Sequence, residues 1–532
     1  MLKFIFSKIK TNTALKKIKA IQANQGQKDQ PSVKLLRSLD KNLTIFKEVL
    51  GESNDIITRE FICGQTQMKA VLIYVDGLTN VAVINENIMK PLMYDSKLTD
   101  SKNEAKIKNI NDFKEIMLSA GDVKDSDAFD ELINGCMSGD SVLLIDGFSS
   151  GLIISSRGWD MRAVETPQTG SVVRGPREGF TENMRTNTAL IRRKIKDPAL
   201  KLEVLKIGRK TQTNVCIAHI EGVANPGLIK EVKDRISKID TDAILESGYI
   251  EQYIEDAPFS IFATIGYSEK PDVIASRLLS GAVAIIVDGT PIVLTAPLLF
   301  IENFQTSEDY YMRPYFASVL RLLRILSFAI SVLAPPVYVA LVSFHQELIP
   351  TPLLFTMAKA MEGTPFPAVI EAAVMLLTYE ILREAGIRLP KPIGQAISIV
   401  GALVMGQSAV SAGLVGAPMV IVVAITAVSS FVVPDQADSG AIMRWLLLIL
   451  AGAMGGFGIT MGLLIVLIHL ASLESFGMPY LSPLAPMRPA DLKDSVIRAP
   501  LWLMKTRPTG MARQNPTRQK DNTPSKIKNP TK

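Results

Sequence analysis

Three long stretches in the C-terminal part carry no charged side chain, and they constrain this chain more than any other feature. Ile325–Phe344 runs twenty residues without Asp, Glu, Lys or Arg, interrupted only by Pro335 and Pro336. Ile393–Val433 continues for forty-one residues and Trp445–Leu473 for twenty-nine, the latter with His469 as its one titratable group. About twenty apolar residues cross the hydrocarbon of a bilayer, and a helix satisfies its own backbone while doing so. The longest stretch accommodates two crossings and a turn. The pattern predicts an all-α polytopic transmembrane domain over 306–473.

Upstream of Tyr315 the composition is that of a water-soluble α/β protein, and its length allows two subdomains. A helix with Leu43, Ile45, Phe46, Val49 and Leu50 on one face opens the folded part near Ser38. Three later segments share one design: Ala70–Val83, Ser141–Ser155 and Val283–Ala296. Each places Asp-Gly between two β-prone runs, a strand–turn–strand pattern. Helical patterns lie between them at Asp127–Asn134 and Leu228–Ile239. The fold class expected is therefore an α/β cytoplasmic region of two subdomains, 38–157 and 158–305, followed by the transmembrane domain. Arg157–Gly179 reads as the connection between the subdomains. Residues 1–37 read as a basic, disordered extension and 474–532 as a basic cytoplasmic tail.

Charge sets the orientation. Residues 1–30 hold seven Lys against one Asp, and 488–532 hold eleven Lys or Arg against Asp491, Asp494 and Asp521. Basic flanks beside membrane segments mark the cytoplasmic side and attract anionic lipid. Nucleic acid fits less well, because no aromatic residues alternate with the charges. The start, MLKFIFSKIK, is too short an apolar run for a secretory signal. Arg321 and Arg324 precede the first apolar stretch and place the α/β region in the cytoplasm. Val374–Leu382 is flanked or punctuated by Glu371, Glu380, Arg383 and Glu384, and is either a protected span or an interfacial helix. Four spans leave the tail inside and five leave it outside; the longer basic tail favours four. Tyr310, Tyr311 and Tyr315 suit an aromatic belt at the membrane surface.

No residue pattern argues for catalysis. Cys63, Cys136 and Cys216 are scattered without metal-ligand spacing, and fit a reducing compartment. His219, His345 and His469 have no Cys or His at ligand spacing. There is no phosphate-binding glycine loop and no nucleophile motif. Asp146-Gly147 and Asp288-Gly289 are turn residues before they are acids. No cofactor or metal is expected.

Other groups suit packing and conduction. Arg174, Arg177 and Glu178 surround a Gly-Pro turn ahead of a helix, within a stretch that also carries Arg185, Arg192 and Arg193. Fixed cations there would hold a subdomain interface or a partner's carboxylates. Gly452/Gly456 and Gly458/Gly462 are two GxxxG pairs that let another backbone approach closely. Val400, Val404, Gln407 and Ser411 share a helix face. That face would line a narrow pore or pack between helices. Glu371 and Glu380 join Val404, Gln407 and Ser411 as candidates for an ion path, and Pro335-Pro336 is a candidate hinge.

Several segments together resemble the A-subunit family of spore germination (germinant) receptors of endospore-forming bacteria. They are VVRGPREGFTENMRTNTALIRRKIKDP (172–198), KPDVIASRLLSGAVAIIVDGTP (270–291), SEDYY (307–311), FHQELIP (344–350), the run from TPFPAVIEAAV to GQSAV (364–410), and SFGMPYLSPLAP (475–486). The likeness spans roughly residues 40 to 500. Lys270 stands where the family is expected to carry Arg. The resemblance implies a non-enzymatic, oligomeric subunit of the spore inner membrane that works with a transporter-like B subunit and a lipoprotein C subunit. It further implies release of monovalent cations through a ligand-gated channel when nutrient is sensed. Two alternatives stand beside this: a sporulation-membrane paralogue that modulates dipicolinate release, and a secondary transporter with a regulatory domain. The transporter would show inverted repeats, and none is visible in the sequence.

Overall fold

The computed structural model describes residues 34–51, 53–63, 68–94, 110, 122–158, 174–388, 406–512 and 514–520. The chain divides into two compact units. The first comprises 1–254, 265–296 and 507–518; the second comprises 255–264, 297–506 and 519–532.

The first unit contains the same arrangement twice. In the first copy, α1 (Leu39–Leu50) leads into β1 (Ile56–Cys63) and β2 (Met68–Val75). A helical run over 81–94 (α2) follows, then β3 (Val123–Ser126), α3 (Phe129–Met137), β4 (Ser141–Ile145) and β5 (Gly151–Ile154). The second copy has α4 (Met184–Lys194), β6 (Leu200–Ile207), β7 (Thr213–Ile220), α5 (Pro226–Ser237), α6 (Ser247–Ile254), β8 (Gly266–Ser268), α7 (Pro271–Leu279), β9 (Val283–Val287) and β10 (Val293–Ala296). The sheets run β1-β2-β4-β5-β3 and β6-β7-β9-β10-β8, antiparallel at every pairing. β4 (SVLLI) and β9 (VAIIV) are buried at all five positions, Ser141 by sharing a hydrogen bond of 2.6 Å with Ser156 Oγ and the rest as apolar side chains.

Two polar devices recur in both copies. The Asp146 carboxylate accepts from the Leu39 N–H at 3.0 Å, and Asp288 accepts from the Met184 N–H at 3.1 Å. Each turn aspartate thus satisfies a free donor at the start of its copy's first helix. Gly147 and Gly289, both at positive φ, close those turns. Asn42 bridges the Leu36 N–H and carbonyl at 2.9 and 2.5 Å; Asn187 does the same for Thr181 at 2.8 and 2.6 Å. The expected hairpins at Ser141–Ser155 and Val283–Ala296 are present. Ala70–Val83 differs: after the Asp76-Gly77 turn the chain enters a helix. The Asn80 side chain accepts from the Ala82 and Val83 N–H groups, and this cap outweighs the β-preference of Val-Ala-Val.

Residues 507–518, read from the sequence as tail, complete the second copy. Ala512 is fully buried among Ile274, Ala275 and Leu278. Arg507 donates to the Leu279 carbonyl at 2.9 Å and Arg518 to Ser280 Oγ at 2.7 Å, so cations sit on the C-terminal end of α7.

The second unit is helical, with α8 (Glu308–Tyr311), α9 (Pro314–Ser343), α10 (Thr351–Met361), α11 (Ala368–Arg388), α12 (Gly406–Ser411), α13 (Ala417–Phe431) and α14 (Ala437–Ser472). Among the described residues, Pro314–Ser343 and Pro434–Ser472 are long and apolar enough to cross a bilayer, and Ala417–Phe431 is apolar but shorter. α14 folds back on itself at Gly455, whose backbone lies at φ 60°, ψ −139°. Its two arms, 437–454 and 456–472, are each about 26 Å long at 1.5 Å per residue. Leu470 of the returning arm shares a cluster with Met443 and Leu447 of the outgoing one.

A buried polar network joins the start of α9 to the segment after α14. Arg321 donates to Asp309 at 2.8 Å and to the Asp494 carboxylate and carbonyl at 3.0 Å. Arg324 donates to both Asp309 oxygens at 3.0 and 2.9 Å. Tyr310 donates to Asp494 at 2.9 Å, with the Arg321 and Arg498 guanidinium groups over its ring. Arg321 and Arg324, expected to act as orienting charges, are thus neutralised within the fold. Tyr310 is engaged in the same network, while Tyr315 stays 85% exposed. Burial works to raise the Asp309 pKa, but hydrogen bonds and charge from Arg324 and Arg321 outweigh it and hold the group below its usual range.

Replacing Asp288 by Ala should lower the stability of the first unit by about 1 kcal/mol, measured by denaturant unfolding of the detergent-solubilised chain. A depressed carboxylate pKa stabilises above its unfolded value and stops doing so as pH falls through the folded one. The thermal stability of the second unit should therefore fall as pH drops below about 4. Asp309→Asn should be less stable at neutral pH and lack that acid-dependent decline.

Candidate functional site

The helical unit places its costly polar groups around the proline pair of α9. Proline has no N–H, so Pro335 leaves the Ser331 carbonyl without its helical donor. Arg444 of α14 supplies one: its Nη1 donates to that carbonyl at 2.9 Å. Its Nη2 donates to Glu380 of α11 at 2.6 Å, and the guanidinium lies 5.8 Å from the Tyr379 ring centroid. Arg383 pairs with the other Glu380 oxygen at 3.1 Å. Arg444 is 1% exposed. Glu380 is therefore met by two cations. The sequence points to Glu380 but passes over Arg444, which stands one residue before a charge-free stretch. The available signal was the proline pair, whose freed carbonyls require donors in apolar surroundings.

Glu371 stands in a different environment. It is 1% exposed, on α11 close to Tyr338 of α9. One oxygen faces the Gly416 N–H, at the start of α13, at 3.5 Å; the other has no hydrogen-bond partner. Among the described residues no Lys, Arg or His forms an ion pair with it. Gln407 and Ser411 lie on α12 and are exposed. Val404 lies outside the described residues. Within one chain, then, Glu371 is enclosed while Gln407 and Ser411 face outward.

The glycine pairs do not lie on one straight helix. Gly455 separates Gly452 from Gly456 because its positive φ breaks the helix. A Cβ on Gly452 would meet Val369 of α11 at 2.7 Å. The Gly456 N–H donates to His345 Nε2 at 3.2 Å. Gly458 and Gly462 let the returning arm lie against Leu450 and Leu447 of the outgoing one. The close approach they permit is made within this chain.

In the first unit the two copies meet through charge. Arg192 is fully buried and donates to both Asp55 oxygens at 2.8 and 3.2 Å, and to Ser53 Oγ at 3.2 Å. The Asn54 N–H donates to the Leu202 carbonyl at 3.0 Å and extends the outer edge of β6. Lys201 Nζ donates to the Leu50 carbonyl at 2.6 Å, at the C-terminal end of α1. Arg185 pairs with Asp76 at the rim of a cleft of about 230 Å³, whose lining includes Asn54, Asp55, Thr188 and Asn214. Arg174 and Arg177 are exposed, and Glu178 pairs with Arg193 at 3.2 Å and Lys194 at 3.5 Å of α4. Arg185 and Arg192 span the copies from the same arginine-rich stretch. The three cysteines are buried and form no disulfide among the described residues. Burial pushes the Cys63 thiol to about 11 and Cys136 to about 12, far from the range of a reactive thiolate.

Arg192→Met leaves Asp55 buried without its cation, and should cost about 3–5 kcal/mol. Arg177→Ala, on an exposed side chain, should stay within about 0.5 kcal/mol. Urea unfolding of the two variants checks the contrast.

The profile of the family described as "Bacillus/Clostridium GerA spore germination protein" matches residues 44–510. The chain is 44% identical to Spore germination protein KA of Bacillus subtilis (strain 168), over 98% of this chain and 96% of that one. It is 42% identical to Uncharacterized membrane protein YfkQ of the same organism, over 95% and 96%. It is 40% identical to Spore germination protein GerLA of Bacillus cereus, over 89% and 96%. Among solved structures it is similar to the N-terminal domain of the A subunit of the Bacillus megaterium spore germinant receptor GerK3. That likeness has 38% identity and a TM-score of 0.41, over 51% of this chain and 99% of that one. The chain belongs to the GerA spore germination protein family.

Proposed function

We propose that this chain is the A-type subunit of a nutrient germinant receptor in the spore inner membrane, acting without catalysis. It works beside a transporter-like B subunit and a lipoprotein C subunit, and oligomerises into a ligand-gated cation path. Membership of the family over nearly the whole chain, with relatives named spore germination proteins, carries this reading.

The helical unit adds physical support. Arg321, near the start of α9, and Asp494, which follows α14, bond directly, which is consistent with both flanks of the apolar region lying on one side of a bilayer. That supports an even number of crossings, with the α/β region and the residues after α14 cytoplasmic. Gln407 and Ser411 are polar and outward-facing on α12, as expected of a face completed by other copies around a pore that also includes Val404. Of the two buried carboxylates, Glu380 is neutralised by Arg444 and Arg383. Glu371 is thus the acidic group left to meet a passing cation.

Reconstitution of the chain with its B- and C-type partners in liposomes, followed by potassium efflux, tests this. Glu371→Gln should lower triggered efflux about tenfold or more, and a bulky residue at Val404 should change the basal leak. Monomers without conductance, alone or with partners, would overturn the conducting role. A second reading is a sporulation-membrane paralogue that modulates dipicolinate release. A relative 42% identical over 95% of this chain is named only as a membrane protein. Loss of this chain would then slow dipicolinate release without changing which nutrients trigger it.

A further inference from the structure

We propose that Arg444 is the pin of a proline hinge. It secures α9 at its proline pair by giving the Ser331 carbonyl the donor that Pro335 removed, and it ties that point to α11 through Glu380. Three helices meet at this one side chain: α9 at Ser331, α11 at Glu380, and α14, which carries the guanidinium.

The geometry separates this role from that of an ordinary buried ion pair. An arginine that only neutralised Glu380 would turn its fork toward the two carboxylate oxygens. Here one arm goes to each partner, and the second Glu380 oxygen is left to Arg383. The arm spent on Ser331 answers a backbone need, because a carbonyl stripped of its donor in apolar surroundings costs several kcal/mol unless another donor replaces it. Lysine, with its compact ammonium, cannot reproduce the planar fork.

The pinned state also leaves donors unused. Arg444 Nε and Arg383 Nη1 are buried and without acceptors, so two cations with excess donors surround one carboxylate. Such a cluster is held at a cost, and an additional acceptor or entering water would relieve it. With Arg444 seated, the freed carbonyl is satisfied from across the helix interface. With Arg444 withdrawn, the Ser331 carbonyl needs water. Opening at this point would hydrate the middle of α9.

The test uses the full chain in lipid nanodiscs and reads hydrogen–deuterium exchange over residues 331–340, so it is independent of conduction and survives failure of the ion-path reading. Arg444→Lys keeps the charge beside Glu380 but gives up one arm of the fork. It should raise exchange in that segment about tenfold, as loss of a charge-assisted hydrogen bond implies. Pro335→Ala restores the N–H that Ser331 lost, so the double variant P335A/R444K should return to within about twofold of the parent. Exchange unchanged in R444K overturns the pin. An increase that P335A does not reverse also overturns it, since the effect would then come from Glu380 alone. Should R444K fail to fold, recovery of folded protein by P335A supports the proposal, and continued failure refutes it.

Discussion

A carbonyl oxygen deprived of its helical donor must find another donor wherever water is scarce, and this requirement organises the helical unit. Pro335 creates the need, Arg444 meets it, and Glu380 makes a buried guanidinium tolerable. Each of these residues would be unfavourable alone among apolar neighbours. Together they tie α9, α11 and the outgoing arm of α14 to one another. Glu371 obeys the same rule less completely, with a helix start for company and one oxygen unserved.

The α/β unit solves a different problem, how to seat the first helix of each copy. Asp146 and Asp288 reach back from a hairpin turn to that helix, and Asn42 and Asn187 stitch the chain ahead of it. The matching element order, strand order and polar clamps describe a duplicated fold. The copies differ where they touch. The loop before β1 lies along the edge of β6, and Arg192 reaches from the second copy into Asp55 of the first.

Much of this was legible in residue pattern. The apolar runs VLLI and VAIIV, each followed by an Asp-Gly turn and a second β-prone run, read as covered strands, and the Asp-Gly pairs turn as their conformational freedom allows. The same reading failed at Ala70–Val83, because a single Asn80 side chain decides between strand and helix there. Glycine spacing had a comparable blind spot. Gly452, Gly456, Gly458 and Gly462 carry the same pattern whether a helix runs straight or doubles back, and only the conformation of Gly455 distinguishes the two. In the arginine-rich stretch, residue type is identical at Arg177 and Arg192. What separates them is the helix face, fixed by tertiary packing. Glu380 announced itself as costly in an apolar segment, yet its partner is sixty-four positions away, beyond the reach of local pattern.

The insertion of Ala512 into the core of the second α/β copy ties the order of synthesis to the order of folding. A core begun near Phe180 closes only when residues more than three hundred positions later leave the ribosome, after the whole helical region has been made. A product cut short before that point would present an open apolar slot beside Ile274 and Leu278. Proteases could read that vacancy as a mark of incomplete manufacture.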